Sequence, residues 1–372
     1  MKKNLSSLEI NYLLREMDTL IGSKVDKIYN IRNEIILVLH VPNTGKTIMR
    51  IVPGKFLFNG NTRESSEEPS SFCMLLRKHL DNARLRTISQ MLPERIVEFV
   101  FEKDNVKKLY AEFFSQGNII LCNENGEIIT AQVLKSWKER SIHRGNKYDY
   151  PKSMHSIFTL TPEELGNILK NTEKRAVVTF LAIELGIGGT YSEEACSEAG
   201  INKDSLPAGI KKNEIEKLAK VTGTFLTRKT DAIIVYEKNE AIDAVPFPLS
   251  IYSHLESRHF STFNEAIEFY FLNYYREHIA EKSPHIKEIE RIKAQIKSQE
   301  EKIGEIIMKE EEERKKAEII YSKYSLLSNI LTEIRKVSEK YSWHDIKEKL
   351  KGHKIIKEVV PEEKSIVVEF DG

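Results

Sequence analysis

The chain has 372 residues, enough for roughly two to four domains, and 40% of them are hydrophobic, so sizeable cores can form. Net charge is +1, which removes any global electrostatic case for nucleic-acid binding. Residues 1–152 do carry 24 Lys and Arg against 18 Asp and Glu, a local surplus of six that also fits a solvated mixed surface. The three cysteines, Cys73, Cys122 and Cys196, show no CxxC spacing, which argues for reduced thiols and against a zinc site. The first residues lack an apolar leader, and no window approaches the length and apolarity of a membrane span, so a membrane partner is not expected.

Leu8–Leu20 reads as an amphipathic helix capped by Ser6 or Ser7, with Leu8, Tyr12, Leu13, Met17 and Leu20 on its apolar side. Residues 24–52 then alternate as three strands, separated by Arg-Asn and Pro-Asn-Thr-Gly turns. Residues 59–69 are polar and turn-rich, hence a loop. Residues 69–99 read as a helix, a turn and the start of a strand. Ser70 or Ser71 caps the helix, Phe72, Leu75, Leu76 and Leu80 form its apolar face, and Arg77 and Lys78 lie toward its C-terminal half. Arg84 and Arg86 follow, Pro93 interrupts, and Glu94-Arg95 precede a strand beginning at Ile96. VKKLYAEFF and GNIILCNENG are two further strands, the second ending in an Asn125-Gly126 turn. Residues 135–152 form a basic, aromatic-containing loop with Trp137, Arg140 and Arg144.

Residues 1–152 closely match a family pattern. Ser70, Phe72, Met74, Leu76, Arg77, Lys78, His79 and Leu80, then Glu94-Arg95, follow the S-x-F-x-M-x-L-R-K-H-L run and acidic-Arg pair of the NFACT family, the family of the RqcH- and NEMF-type ribosome quality-control factors. Glu112, Gly117-Asn118, Arg144-Gly145, Tyr148 and Pro151 match further positions. The resemblance implies an NFACT-N domain over 1–152, similar to the N-terminal domain of formamidopyrimidine-type DNA glycosylases.

Residues 160–220 turn helical. Thr161-Pro162-Glu163-Glu164 is a helix start with a capping-box pattern. Farther on, Leu185-Gly186-Ile187-Gly188-Gly189 separates two helical segments. Such a turn can be only a turn. It can also present backbone N–H groups to a phosphate, which would make Gly186, Gly188 and Gly189 nucleic-acid backbone contacts. The resemblance favours the second reading, because NFACT proteins carry a helix-hairpin-helix domain here, over 153–224.

Residues 225–260 return to strands, and Phe260 to Ala266 resembles a family F-x-S/T-F-N-E-A motif that opens a helix. Over 286–340, Ile289, Ile292, Ile296, Gln299, Ile303 and Ile306, then Ala317, Ile320, Tyr324, Leu327, Leu331 and Ile334, recur at spacings of three and four. Between them KEEEERKK (309–316) has no apolar residue. The pattern predicts an antiparallel helical hairpin with its tip near 309–316, with a single long helix in an intermolecular coiled coil as the competing reading. Each arm is about three heptads, short for a stable dimer, so a monomer is expected. Residues 343–372 hold a short helix and two strands, expected to complete a small β-domain begun at 225. The expected architecture is therefore multidomain α+β: 1–152, 153–224, a β middle domain of 225–262 with 343–372, and a helical arm of 263–342. In full-length family members an NFACT-R domain follows, and the resemblance implies that this chain stops before it.

No catalytic set stands out: there is no P-loop, no HExxH, and no specified carboxylate pair. Lys2, taken as a flexible terminal residue, has no evident source of the desolvation that an amine nucleophile needs. The resemblance implies a non-enzymatic, cytoplasmic ribosome-associated factor without cofactor or metal. It would bind large ribosomal subunits obstructed by peptidyl-tRNA, recruit tRNA of the alanine type, and support template-free C-terminal tailing. The tRNA-binding candidates are Glu9, Arg77, Lys78, Arg84, Glu94, Arg95, Arg140 and Arg144. Family members typically have Asp at the positions of Glu9 and Glu94. Lys309, Arg314, Lys315 and Lys316 are the ribosome-contact candidates at the arm's tip. Three other classes remain open: a glycosylase-like nucleic-acid-binding protein, a surface adhesin for fibronectin (a label this family has carried), and a plain coiled-coil scaffold.

Overall fold

The computed structural model describes residues 1–62, 68–136, 140–151, 156, 158–276 and 284–370. Two compact units divide the chain, Met1–Glu281 and Lys282–Gly372. In the first unit one continuous apolar core runs through residues of the expected first, second and third domains and reaches Tyr275.

The first unit begins with helix α1 (Ser7–Met17), capped by Ser6, whose hydroxyl accepts from Glu9 N while the Glu9 carboxylate accepts from Ser6 N. This reciprocal box satisfies two otherwise orphaned donors. Leu8, Tyr12, Leu13 and Met17 are buried as the spacing predicts. A nine-stranded antiparallel sheet follows, in the order β4-β3-β2-β1-β5-β6-β7-β8-β9. Its strands are β1 (Lys24–Ile31), β2 (Glu34–Val41), β3 (Gly45–Val52), β4 (Phe56–Gly60), β5 (Arg84–Gln90), β6 (Ile96–Glu102), β7 (Val106–Glu112), β8 (Asn118–Asn123) and β9 (Ile128–Ala131). Helix α2 (Ser71–Leu80) is inserted between β4 and β5 and buries Phe72, Cys73, Leu76 and Leu80; Ser70 is its cap.

Two strands were not expected. Arg84–Gln90, read as part of a turn, is β5, and a register shift between Leu85 and Thr87 explains why. The bulge leaves Arg86 and Thr87 exposed side by side between buried Leu85 and Ile88, so the period-2 signature of a strand is broken. Phe56–Gly60 is β4, overlapping the expected loop. The segment after β9 is partly ordered as a short ladder of β10 (Lys135–Ser136) with β11 (Ser141–Ile142). Trp137 lies outside the described residues.

Gly117 has a positive φ of 72°, and a Cβ there would lie 1.9 Å from the backbone N of Gly54, so only glycine lets these two connections touch.

Four helices come next: α3 (Pro162–Asn171), with the expected Thr161 cap and Glu164 capping box, α4 (Val177–Ile183), α5 (Gly189–Ala199) and α6 (Lys212–Phe225). A three-stranded sheet of β12 (Ala232–Glu237), β13 (Glu240–Val245) and β14 (Glu256–Phe260) follows, in the order β13-β12-β14. Helix α7 (Phe263–Tyr270) continues into a π-helical turn at Phe271–Tyr275. Rather than opening an arm, this segment buries Phe263, Ile267, Tyr270 and Phe271. Phe271 lies 5.5 Å from Phe56 between ring centroids, edge-on. Glu16 of α1 accepts from the N–H groups of Phe263 and Asn264, capping α7 from outside.

The second unit has helix α8 (Pro284–Ser322), α9 (Tyr324–Ser338), α10 (Trp343–Lys349) and a ladder of β15 (Ile356–Val360) with β16 (Ser365–Val368). The expected tip at 309–316 is not a turn: α8 runs through it without a break. Lys, Glu and Arg are good helix formers, and the pairs Arg314–Glu318 and Lys316–Glu313 are spaced along one helix. The helical backbone departs only at Lys323 (φ −110°, ψ 18°), and bonds from Lys323 N to Ile319 O and from Leu327 N to Lys323 O span the departure. The hairpin tip expected at 309–316 is therefore replaced by continuous helix. β15 and β16 form their own two-stranded sheet and do not join β12–β14. Their core is small: Ile334, Ile346, Ile356 and Val359.

Candidate functional site

The first unit holds a cleft of about 630 Å³ that collects residues from distant parts of the chain, Phe114 and Pro151 among them. Its walls are the Met1–Asn4 segment, Glu9 of α1, the Pro93-Glu94-Arg95 turn between β5 and β6, the glycine turn between α4 and α5 with Thr190 and Tyr191, Asp243 of β13, and Tyr252.

Local structure sets each wall. Gly186 (φ 70°) and Gly188 (φ 81°) occupy the left-handed region, which lets the chain turn sharply into α5. The 91–95 turn is tied to the start of α1: Gln90 Nε2 donates to Ser7 O at 2.9 Å and to Glu94 O at 3.1 Å. Arg95 Nη1 donates to Leu5 O at 3.3 Å, and its carbonyl accepts from Phe113 N. Burial pulls Arg95 below the ordinary arginine value while Glu9 and Glu94 oppose that shift; the guanidinium remains a cation.

At the cleft wall stands a buried charge cluster. Lys2 Nζ lies 2.6 Å from Glu9 Oε1 and 2.8 Å from Asp243 Oδ1, and its side chain is 6% exposed. Tyr191 donates its hydroxyl to Glu9 Oε1 at 2.9 Å, and Tyr252 donates to Asp243 Oδ2 at 2.8 Å. Burial alone would lower the Lys2 pKa, but Asp243 and Glu9 outweigh it and raise the value above the ordinary one. Burial beside Glu9 and Asp243 likewise keeps Tyr191 neutral, its pKa well above the usual phenol. Lys2 is thus no flexible terminal residue. It is desolvated yet held as an ammonium, the opposite of what an amine nucleophile requires.

Of the expected tRNA contacts, Glu9, Glu94 and Arg95 meet Gly186, Gly188 and Gly189 at this cleft. Glu9 is 1% exposed and saturated by Lys2, Tyr191 and Ser6 N, so it is a wall residue rather than a surface contact. The other candidates lie elsewhere. Arg77 and Lys78 line a second groove with Asp26, Tyr29 and Met74. Arg77 Nε donates to Ile28 O at 2.8 Å and its guanidinium lies over the Tyr29 ring. Arg84 Nη1 donates to Gly22 O. Arg140 pairs with buried Glu112, donates to Asp149 O and covers the Tyr148 ring, while Tyr148 also donates to Glu112; this cluster pins the end of the domain. Arg144 is exposed. Lys309, Arg314, Lys315 and Lys316 are exposed along α8, within its length rather than at a tip.

Lys2, Tyr191, Asp243 and Tyr252 were missed. Asp243 is 241 residues from Lys2, and no spacing rule connects them. The α5 start is also not empty: besides Tyr191 on Glu9, Thr190 Oγ1 lies 3.4 Å from Asp243 Oδ2, so the chain's own carboxylates already attend the helix's first turn. Among the described residues no group of three or more His, Cys, Asp or Glu could hold a metal ion, and no helix is long and apolar enough to cross a membrane.

Comparison with known proteins agrees with this architecture. Residues 6–365 match the family model for NFACT N-terminal and middle domains. The chain is 33% identical to the archaeal Rqc2 homolog aRqcH of Methanocaldococcus jannaschii, over 95% of this chain and 55% of that protein. It is 23% identical to the ribosome quality control complex subunit NEMF homolog of Drosophila melanogaster, over 94% of this chain and 42% of that protein. The chain therefore spans about half the length of these curated relatives. Among solved structures, a fibrinogen binding protein from Staphylococcus aureus shares the fold with a TM-score of 0.61 at 16% identity, covering 72% of this chain and 98% of that one. The N-terminal part of a fibronectin/fibrinogen-binding protein from Streptococcus suis matches with a TM-score of 0.58 at 21% identity, covering 73% and 100%.

Proposed function

The chain belongs to the NFACT family, by its N-terminal and middle domains, and on that premise we propose that it serves ribosome-associated quality control as a tRNA-engaging factor. In this reading it binds large ribosomal subunits obstructed by peptidyl-tRNA, recruits tRNA of the alanine type, and supports template-free C-terminal tailing. Its place of action is the cytoplasm, and it acts as a monomer. The names of its relatives, an archaeal Rqc2 homolog and a ribosome quality control complex subunit NEMF homolog, support the process. The observation that carries the tRNA part is the cleft, which joins Glu94, Arg95 and the α4–α5 glycine turn at one site.

The mechanism is positioning. Arg95, braced on Leu5 O, offers a phosphate contact, and Glu94 beside it offers an acceptor for a base edge or 2′-hydroxyl. The glycine turn lets backbone approach closely, in the manner of a helix-hairpin-helix. Arg77, Lys78 and Arg144 are peripheral phosphate contacts. Arg84 and Arg140, committed to Gly22 O and to Glu112, act through the fold. Peptidyl transfer is left to the ribosome. Lys309, Arg314, Lys315 and Lys316 give α8 a charged stretch to lie along ribosomal RNA or protein.

The test is binding of labelled tRNA to the chain and to Arg95→Ala across a salt series. Affinity that falls as salt rises, and falls about tenfold in the variant, supports the reading. Equal affinity for both proteins removes Arg95 from the site, and no binding at low salt removes tRNA.

A glycosylase-like role has an observation against it, since Lys2 is held protonated between two carboxylates.

A further inference from the structure

The Met1–Asn4 segment runs along the cleft, and Lys2 joins two elements that share no backbone ladder. Its ammonium bridges Glu9 of α1 and Asp243 of β13, both carboxylates being buried. Each is also tied to the first turn of α5, Glu9 through Tyr191 and Asp243 through Thr190. The Lys2 carbonyl accepts from Tyr270 of α7 at 3.2 Å. Two elements therefore meet on the Lys2 side chain, α5 is tied to both of their carboxylates, and α7 holds the Lys2 backbone; the glycine turn lies directly before the α5 residues so held. The charge count is one cation to two carboxylates. Without the cation, two buried like charges would face each other, and one would take up a proton.

We propose that Lys2 is a positioning residue of the cleft: its ammonium is the countercharge that lets Glu9 and Asp243 stand together as one wall, and it thereby fixes the glycine turn and Arg95 for a bound RNA. This rests on the cleft being the tRNA site. The groups facing Lys2 are Glu9 with Tyr191, Asp243 with Tyr252, and Tyr270; exposed Lys3 and the Glu94-Arg95 pair also line the cleft. No histidine lines the cleft among the described residues, and the Met1 amine is common to every variant.

The test measures labelled tRNA binding at about pH 7.5 and about pH 5.5, each relative to wild type at the same pH. The variants are Lys2→Met and Lys2→Met with Asp243→Asn, both also followed by thermal melting. Lys2→Met should bind about tenfold more weakly at the higher pH and recover at the lower, where the paired carboxylates share a proton. The double variant restores the original charge excess and should regain most binding at both. Wild-type affinity in Lys2→Met overturns the proposal. So does a double variant as weak as the single one with no dependence on pH, since that is a packing loss alone. Should Lys2→Met not fold at the higher pH, the double variant must fold and bind, and its failure also overturns the proposal. If wild type itself binds no tRNA, the tRNA reading falls separately, and melting then decides whether Lys2 is the countercharge of Glu9 and Asp243. A Lys2→Met deficit that narrows at low pH and vanishes in the double variant sustains it, and equal deficits at both pH values overturn it.

Discussion

Charge does opposite work in the two units of this chain. In Met1–Glu281 the Lys2, Glu9 and Asp243 side chains at the cleft are buried, multiply bonded, and joined across as many as 241 residues of sequence. In Lys282–Gly372 the described Lys, Arg and Glu side chains of α8 are exposed, and Arg314 and Lys316 pair with near neighbours on the same helix. Removing a partner from a buried cluster leaves an uncompensated charge, whereas exposed helix pairs contribute little. The first unit's buried charges thus shape the cleft, while the described charges of α8 lie in solvent.

That contrast can be broken most sharply at Glu9. Glu9→Ala strips Lys2, Tyr191 and Ser6 N of their shared acceptor and should cost about 3 kcal/mol in a denaturant melt. A loss under about 1 kcal/mol would show that the cluster does not hold the unit together. Next comes Gly117→Ala, whose added methyl meets the Gly54 backbone; about 2–3 kcal/mol of destabilisation is expected by the same measurement. Arg95→Ala gives up one bond to Leu5 O and should cost about 1 kcal/mol of stability, well below its effect on RNA binding. Smallest of all, Arg314→Ala on α8 should change stability by no more than about 0.5 kcal/mol.

Two further experiments sharpen the comparison. Lys2 has a folded pKa above the ordinary lysine value of 10.5, so its contribution is complete below about pH 10.5 and declines as pH rises toward the folded value. The gap in stability between wild type and Lys2→Met should accordingly shrink in strongly alkaline buffer. In the second unit, deleting 309–316 from the unbroken α8 removes eight residues and turns the distal face by roughly 80°, whereas deleting seven shifts it by only about 20°. Ribosome co-sedimentation lost with eight and kept with seven would mean that α8 presents one face to its partner.

Local signals read well in this sequence. The caps at Ser6, Ser70 and Thr161, and the apolar faces of α1 and α2, follow from side-chain chemistry within a few residues. Glu94, Arg95 and the α4–α5 glycines were singled out through their family pattern, and the fold brings them to one cleft. Strand β5 was hidden because its bulge breaks alternation, and a turn was wrongly expected at 309–316 because an all-charged stretch resembles a solvated tip although its residues favour helix. Lys2, Asp243 and Tyr252 were illegible for a different reason. Their meaning arises from long-range pairing, and a lysine near the start of a chain gives no local sign of being buried. Arg77 and Arg95 looked equivalent as sequence, yet they line different grooves.

That last distinction can be measured directly. Ile183 lines the cleft and Met74 lines the α2 groove, and they are 56% and 51% exposed, so a photo-crosslinking residue placed at either is matched in access. With labelled tRNA under low salt, crosslinking should concentrate at position 183 and be weak at position 74. Strong crosslinking at 74 with none at 183 would contradict the account and move the RNA site to the face of α2.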